Sequence, residues 1–199
     1  MHRLLPVRTV AFLLLVLVAC FWFAKREGEL AHPGTTLLHF LDIGQGDSAF
    51  IVSPSGKQIV IDGGRDLNPL EGIGARMPFF DREIDLLVLT HPQLDHIGAF
   101  PEILRRYKVH AVLMTGVAYD LSRYDEFLAL LRREQADVLI ADPAKDIDFG
   151  DGLTFDVLWP KPGLYGKAAT GEINDTSIVL KACYSGSPSP RTGSGQIRF

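Results

Sequence analysis

The chain has 199 residues, a length that suits one domain of ordinary size with a short appendage. Hydrophobic residues make up 47% of the chain and charged residues 22%, values typical of a globular protein that buries a core. The formal net charge of −4 argues against a module that holds nucleic acid through a broad basic surface. Because Cys20 lies in the hydrophobic leader, no disulfide with Cys183 is predicted.

The N-terminus carries a hydrophobic segment that predicts a membrane location. Residues 1–8 form a basic region, residues 9–24 an apolar segment and residues 25–35 a linker. The apolar run is shorter than the roughly 20 residues that cross a bilayer comfortably, but residues before Arg8 can extend it. Three interpretations remain open: a signal anchor, which we favour; a lipoprotein signal ending at Cys20; and a cleaved secretory signal. Each places the rest of the chain outside the cytoplasm, and the anchor gives a single-pass protein of the bacterial cytoplasmic membrane.

From residue 36 onwards, short apolar runs alternate with glycine-containing turns. Strands are predicted at 37–43, 49–52, 58–61, 84–90, 110–114, 138–140, 153–158 and 177–182. Helices are predicted at 101–107 and from Ser122, which we expect to be an N-cap. Antiparallel strands come first and strands alternating with helices follow, so residues 36–183 predict an α/β domain with a mixed sheet. Residues 184–199 are rich in Ser, Gly and Pro and predict a disordered tail.

Two imidazoles and a carboxylate follow the predicted strand at 84–90 directly: His91, Asp95 and His96. The end of a strand in an α/β sheet is where a rigid scaffold meets an open cleft. Histidine nitrogen and aspartate oxygen together suit zinc, and less often manganese or iron. Taken alone, the pattern is better explained by a strand end followed by a helix cap.

Two further acids lie at predicted strand ends. Asp62 precedes two glycines, and Asp47 follows the sequence GQG. Each has an explanation as a turn residue, but together with the histidine loop they predict acidic strand ends that converge on one cleft. Such an arrangement is what a cation-binding site requires.

Four motifs, in this order, resemble the metallo-β-lactamase domain of ComEC-type competence proteins: LDIGQGDSAFIV, IVIDGG, IDLLVLTHPQLDHIGAFPEIL and NDTSIVL. The resemblance spans residues 37–182 and implies a metallo-β-lactamase-like αββα sandwich, of which this chain holds roughly the N-terminal two-thirds. It implies one or two metal ions, usually zinc with manganese as an alternative, which activate water to attack an ester or phosphodiester. It also implies DNA uptake, with DNA or another phosphodiester as substrate and a competence channel protein as partner.

The resemblance assigns roles to individual residues. His91, Asp95 and His96 match the family's metal-binding loop, and Asp62 matches the acid that supports this loop. A later Asn-Asp motif of the family matches Asn174 and Asp175. The candidate catalytic or supporting residues around the cleft are therefore Asp47, Asp62, Asp95, Asn174 and Asp175.

The sequence departs from the family pattern in two respects. Gln93 stands where the family has His or Asp, and an amide is a weak zinc ligand. The family's Thr-Gly-Asp hairpin and later histidine loop have no counterpart here, since none of the six histidines follows His110. We therefore expect a truncation or frameshift near Cys183.

Three functional interpretations compete. The first is a metal-dependent hydrolase, acting as a phosphodiesterase or nuclease, which we favour for the family domain. The second is a catalytically inactive, membrane-tethered scaffold, which Gln93 favours. The third is a non-functional truncated fragment, in which the strands from Ile84 to Leu158 would expose a large apolar face. The two departures argue against activity in this chain.

Overall fold

The computed structural model describes residues 6–30, 33–169, 171–186 and 197–198. A long N-terminal helix precedes a domain that contains a six-stranded and a four-stranded sheet. Most of the predicted disordered tail lies outside the described residues. Within it, Ile197–Arg198 pairs as a short parallel strand with residues 147–148.

Helix α1 (Val7–Leu30) is, among the described residues, the one helix long and apolar enough to cross a membrane. At 1.5 Å per residue, its 24 residues extend over about 36 Å. The helix continues through six residues of the predicted linker, where Lys25 and Glu29 form an ion pair at 3.5 Å. Signal sequences share these properties, so α1 is compatible with all three interpretations of the N-terminus.

The first sheet has the strand order β1-β2-β3-β4-β5-β6. Its strands are β1 (Leu37–Phe40), β2 (Ala49–Val52), β3 (Gln58–Ile61), β4 (Glu83–Val88), β5 (Lys108–Met114) and β6 (Asp137–Ile140). The first three pair antiparallel and the last four pair parallel, which confirms the mixed sheet. The connections contain α2 (Asn68–Arg76), α3 (Leu94–Ile97), α4 (Phe100–Arg106) and α5 (Ser122–Glu134).

Helix α5 begins at Ser122, as predicted, but Ser122 is not its N-cap. Ser122 is its first helical residue, and the N-cap position belongs to Leu121, with no side-chain hydrogen bond. The prediction that Ser122 is the cap is therefore wrong. Burial of Phe127 and its neighbours, and not the cap, holds this helix in place.

The central strands of the first sheet are buried on both faces, because alternate side chains point in opposite directions. One set packs against α2, α4 and α5, and it includes Phe50, Val60, Leu87 and Val112. The alternate set packs against the second sheet, and it includes Ile51, Ile59, Leu86, Val88 and Leu113.

The second sheet has the order β10-β7-β8-β9 and covers the inner face of the first. Its strands are β7 (Ile147–Asp148), β8 (Leu153–Trp159), β9 (Val179–Tyr184) and β10 (Ile197–Arg198). Helices, first sheet and second sheet thus form three layers of the expected αββα sandwich.

The apolar face expected between Ile84 and Leu158 is not exposed on the central strands. Ile84, Leu86 and Leu87 are fully buried, because the second sheet and the helices cover them. Exposed apolar side chains lie on the outermost strand β1, at Phe40, and on the second sheet, at Leu158.

Candidate functional site

The loop after β4 brings the two predicted histidines together. His91 is buried, the His96 side chain is 13% exposed, and their ring centroids are 4.0 Å apart. The two residues lie on either side of the short turn that leads into α3. A buried strand therefore positions one imidazole directly, and the following helical turn positions the other.

Asp62 holds this loop from the end of β3. Its Oδ1 accepts a hydrogen bond from the backbone N–H of Thr90 at 2.9 Å. Its Oδ2 accepts from Thr90 Oγ1 at 2.7 Å and contacts His96 Nδ1 at 2.9 Å. Because an ionised carboxylate only accepts, the proton of neutral His96 lies on Nδ1. Its Nε2, which makes no hydrogen bond among the described residues, faces away with its lone pair available.

The backbone around Asp62 is unusual. Asp62 has φ of 56°, a left-handed conformation that aspartate tolerates better than most residues. Gly63 N–H donates to the His96 carbonyl at 2.6 Å, and Gly98 N–H donates to the Gly64 carbonyl at 2.7 Å. The turn after β3 is therefore bound to the histidine loop through the main chain of both segments.

The loop after β1 joins the same cluster at Gly46. A Cβ atom there would lie 2.1 Å from the Asp95 carbonyl oxygen, and the φ of this residue is +98°. Only glycine fits such a position. The contact brings Asp47 beside the cluster, where its carbonyl accepts from Gly64 N–H at 3.0 Å.

The surroundings of His91 satisfy either neutral tautomer. In one, Nε2–H donates to Gln93 Oε1 at 3.0 Å, and the Ser177 hydroxyl donates to Nδ1 at 3.1 Å. In the other, Nδ1–H donates to Thr90 Oγ1 at 3.0 Å, because the hydroxyl hydrogen of Thr90 is already given to Asp62. The second tautomer leaves Nε2 of His91 available to a ligand once Gln93 turns aside.

The pKa values of the two histidines are shifted in opposite directions. Burial lowers the pKa of His91, which keeps its imidazole neutral. Burial also lowers the pKa of His96, but the hydrogen bond to Asp62 and the charges of Asp62, Asp95 and Asp47 outweigh it and raise the pKa. The same negative charges favour any cation beside His96, whether a proton or a metal ion.

The described residues supply part of a metal site. They contain no group of three or more His, Cys, Asp or Glu side chains placed to hold a metal ion, so Asp95 does not complete a set with the two histidines. A catalytic zinc uses three protein ligands. The two imidazoles fit this chemistry. Gln93 stands where a third ligand is needed, and its side-chain amide instead contacts Nε2 of His91.

Asn174 and Asp175 are the exposed residues of a 3₁₀ turn (Ile173–Thr176), and within the described chain neither side chain bonds to a histidine. The backbone carbonyl of Asp175 accepts from Trp159 Nε1 at 2.9 Å. The residue of this motif that reaches the site is Ser177, which sequence reasoning missed. Its place in the motif NDTSIVL, two residues after Asp175, is the only sequence signal for it.

A cavity of about 420 Å³ opens between the two sheets beside the site. Its polar side contains Asp47 and Asp62, and its apolar side contains Phe40 and Phe155. Residues of β1 and β9, each an edge strand of its sheet, line the cavity. Asp62 thus belongs both to the wall of the cavity and to the histidine cluster.

Two curated relatives are similar in sequence. ComE operon protein 3 of Bacillus subtilis (strain 168) is 31% identical over 190 residues, covering 86% of this chain and 22% of that protein. A UPF0173 metal-dependent hydrolase of Polaromonas sp. is 35% identical over 102 residues, covering 50% of this chain and 37% of that protein. The chain thus spans less than half the length of either relative.

Two solved structures are similar in fold. The metallo-beta-lactamase fold protein YhfI from Bacillus subtilis has a TM-score of 0.47 and 15% identity, covering 73% of this chain and 58% of that one. The flavodiiron protein from Giardia intestinalis has a TM-score of 0.48 and 17% identity, covering 73% and 36%.

The family itself is shown by a match over residues 41–172, which is more than half of the chain. The similarity to ComE operon protein 3 confirms the resemblance to competence proteins. The chain belongs to the metallo-beta-lactamase superfamily.

Proposed function

We propose that this domain takes part in metal-dependent hydrolysis of phosphodiesters outside the cytoplasm, tethered to the cytoplasmic membrane by α1. The observation that carries the proposal is the pairing of Asp62 with His96 Nδ1 at 2.9 Å, beside the ring of His91. A carboxylate that orients an imidazole in this way is the usual support of a metal-binding histidine. The superfamily and the similarity to a metal-dependent hydrolase support the same reading.

His91 and His96 would hold the ion through their Nε2 atoms, with zinc as the first candidate and manganese as the second. A metal in such a site supplies Lewis acidity and activates water at neutral pH. The chain's own residues do the positioning. Asp62 fixes the His96 ring and the Thr90 hydroxyl, and Thr90 Oγ1 accepts from His91 Nδ1–H in the tautomer that leaves Nε2 available. Ser177 Oγ lies 3.1 Å from the same Nδ1. The charges of Asp47 and Asp95 attract the cation.

The test is metal content and activity of the full chain, purified in detergent. We expect bound zinc or manganese by mass spectrometry and slow hydrolysis of bis-p-nitrophenyl phosphate. Both should be lost in His96→Ala and kept in His110→Ala. The second variant is a matched control, because His110 is a half-exposed histidine that bonds to Glu83, away from the cluster. A chain that binds neither metal would refute the proposal.

One observation favours the second interpretation, an inactive scaffold: Gln93 Oε1 lies 3.0 Å from the His91 nitrogen that a metal needs. Gln93→His replaces this amide with an imidazole and should raise zinc affinity by at least about tenfold, or about 1.4 kcal/mol. If the natural chain binds no metal and Gln93→His does, the scaffold interpretation is correct. If both bind equally, Gln93 does not block the site.

The location and partners form part of the same proposal. The basic region at residues 1–8, which carries Arg3 and Arg8 and no acid, would remain in the cytoplasm, as the positively charged segment before a signal sequence does. The domain would then face outwards, where DNA and a competence channel protein are the partners proposed from the similarity to ComE operon protein 3. A cysteine at the exposed position of Asp120, with Cys20 and Cys183 replaced, should react with an impermeant maleimide in spheroplasts. If the cysteine reacts only after lysis, the domain faces the cytoplasm and the proposed topology is wrong.

A further inference from the structure

The connection between α2 and β4 presents two phenylalanine rings to the surroundings. Asp81 N–H donates to the Pro78 carbonyl at 3.0 Å, so the four residues from Pro78 to Asp81 form a tight turn. Phe79 and Phe80 are its central residues, with 54% and 82% of their surfaces exposed. Such positions normally hold Gly, Pro, Asn or Asp, because these residues readily adopt the backbone angles of a turn. Two large apolar rings there need an explanation.

The turn is held in place at both ends. Before it, Met77 N–H closes α2 with a hydrogen bond to the Ile73 carbonyl at 3.0 Å. After it, the Asp81 carboxylate accepts from Glu83 N–H at 3.0 Å and from the side-chain amide of Gln58 on β3. The rings are therefore displayed on a fixed support, not on a loose loop.

The same turn contacts the C-terminal part of α1. The ring of Phe23 lies 5.8 Å from that of Phe79 and 6.0 Å from that of Phe80, in edge-to-face arrangements. The backbone N–H of Phe79 also donates to the carboxylate of Glu27 at 3.2 Å. The two exposed rings and the aromatic end of α1 thus form one continuous apolar patch.

The position of this patch along α1 matches the surface of a bilayer. From Val7 to Phe23 the helix rises about 24 Å, so a hydrocarbon core of roughly 30 Å that begins near Val7 ends about one helical turn beyond Phe23. Trp22 and the Lys25 ammonium, 5.3 Å from its ring, follow the pattern of residues at a membrane boundary. A bilayer that begins near Val7 therefore has its far boundary within about one helical turn of Phe23 and of the Phe79–Phe80 turn that contacts it.

We propose that the Phe79–Phe80 turn is a second membrane contact, whose rings insert into the interfacial region of the bilayer that α1 crosses. The inference rests on the proposed anchoring by α1. It also sets the orientation of the domain. The Phe79–Phe80 turn precedes β4, and His91 follows β4. The six residues of this strand therefore separate the turn from His91 by about 20 Å. The histidine cluster then faces away from the lipid, towards water.

The experiment measures the depth of nitroxide labels in the full chain, reconstituted in phosphatidylethanolamine–phosphatidylglycerol vesicles. With Cys20 and Cys183 replaced by serine, single cysteines are introduced as Phe80→Cys, Phe40→Cys and Leu15→Cys. Phe40 is the matched control, since its ring is 80% exposed on β1, and Leu15 reports on α1 itself. Because both phenylalanines are exposed, neither change disturbs the core.

We expect the label at position 80 to collide with oxygen several-fold more often, relative to a water-soluble nickel complex, than the label at position 40. Equal ratios at 80 and 40, with position 15 in hydrocarbon, overturn the membrane contact and leave the anchor standing. A label at 80 that neither reagent reaches is buried against protein and also overturns it. Water access at position 15 overturns the anchor and the inference together.

Discussion

Asp151, in the turn between β7 and β8, joins the two sheets at one end of the sandwich. Its Oδ2 accepts from the hydroxyls of Ser53 and Ser55 and from Ser55 N–H, on the turn between β2 and β3, and its Oδ1 accepts from Leu153 N–H. A hydrogen bond to a charged group contributes about 1.5–3 kcal/mol to stability when water is kept away from it. Because Ser55 is exposed, its two hydrogen bonds to Asp151 contribute less than that. We therefore expect Asp151→Ala to destabilise the fold by about 2–3 kcal/mol in total.

For a domain of this size, that loss corresponds to a fall in melting temperature of about 4–12 °C. The assay is thermal unfolding in detergent micelles followed by circular dichroism, with Asp120→Ala as control, because Asp120 has the same charge at an exposed position. Equal falls in melting temperature for Asp151→Ala and Asp120→Ala would show that the loss of a negative charge, and not the loss of the connection between the sheets, is responsible.

The pH dependence provides a second check on Asp151. Burial raises the pKa of Asp151, but the hydrogen bonds from Ser53 and Ser55 outweigh it, so the pKa lies below its ordinary value. A carboxylate whose pKa is lowered in the folded state stabilises above its unfolded pKa of about 3.9. The difference between natural chain and Asp151→Ala should therefore shrink as the pH falls below about 4. A difference that grows on acidification would contradict the reasoning.

Three further outcomes are expected. Gly46→Ala should unfold at lower temperature than Gly56→Ala, because both glycines have positive φ but only the first would place a Cβ against the Asp95 carbonyl. Equal effects would mean that this contact is unimportant. Phe127→Ala, at a fully buried position, should cost about 3–5 kcal/mol in denaturant unfolding, and a loss below about 1 kcal/mol would contradict the packing. Cys20→Ser should change the mass of the membrane-bound protein only by the substitution; loss of the mass of a lipid would instead favour the lipoprotein.

The parts of the fold that sequence reasoning captured depend on local patterns. The bounds of β2 and β3 agree with prediction, because the two short apolar runs and the intervening Pro-Ser-Gly turn are encoded within a dozen residues. The approach of Asp62 to the histidine loop also followed from position, since parallel strands end at one edge of a sheet.

The features that were missed depend on contacts between distant residues. No helix was predicted over Asn68–Arg76, because Gly72 and Gly74 weaken any helical pattern; burial of Leu70 and Ile73 stabilises it. The contact of Ser177 with His91 joins residues 86 positions apart. Hydrophobic periodicity contains no information at that distance, so only the assembled sheets bring the two side chains together.

The two-sided burial of the first sheet has a consequence for how the protein is made. Strands β1 to β5 are synthesised before Ile147, the first residue of the strand that covers their inner face. In a growing chain, the inner-face side chains of Ile51, Ile59 and Leu86 therefore stay exposed after β5 is complete. They remain so until about forty more residues, up to Val157 of β8, have been synthesised. During that interval the nascent domain needs either a chaperone or delayed collapse, and its yield should depend on the speed of translation.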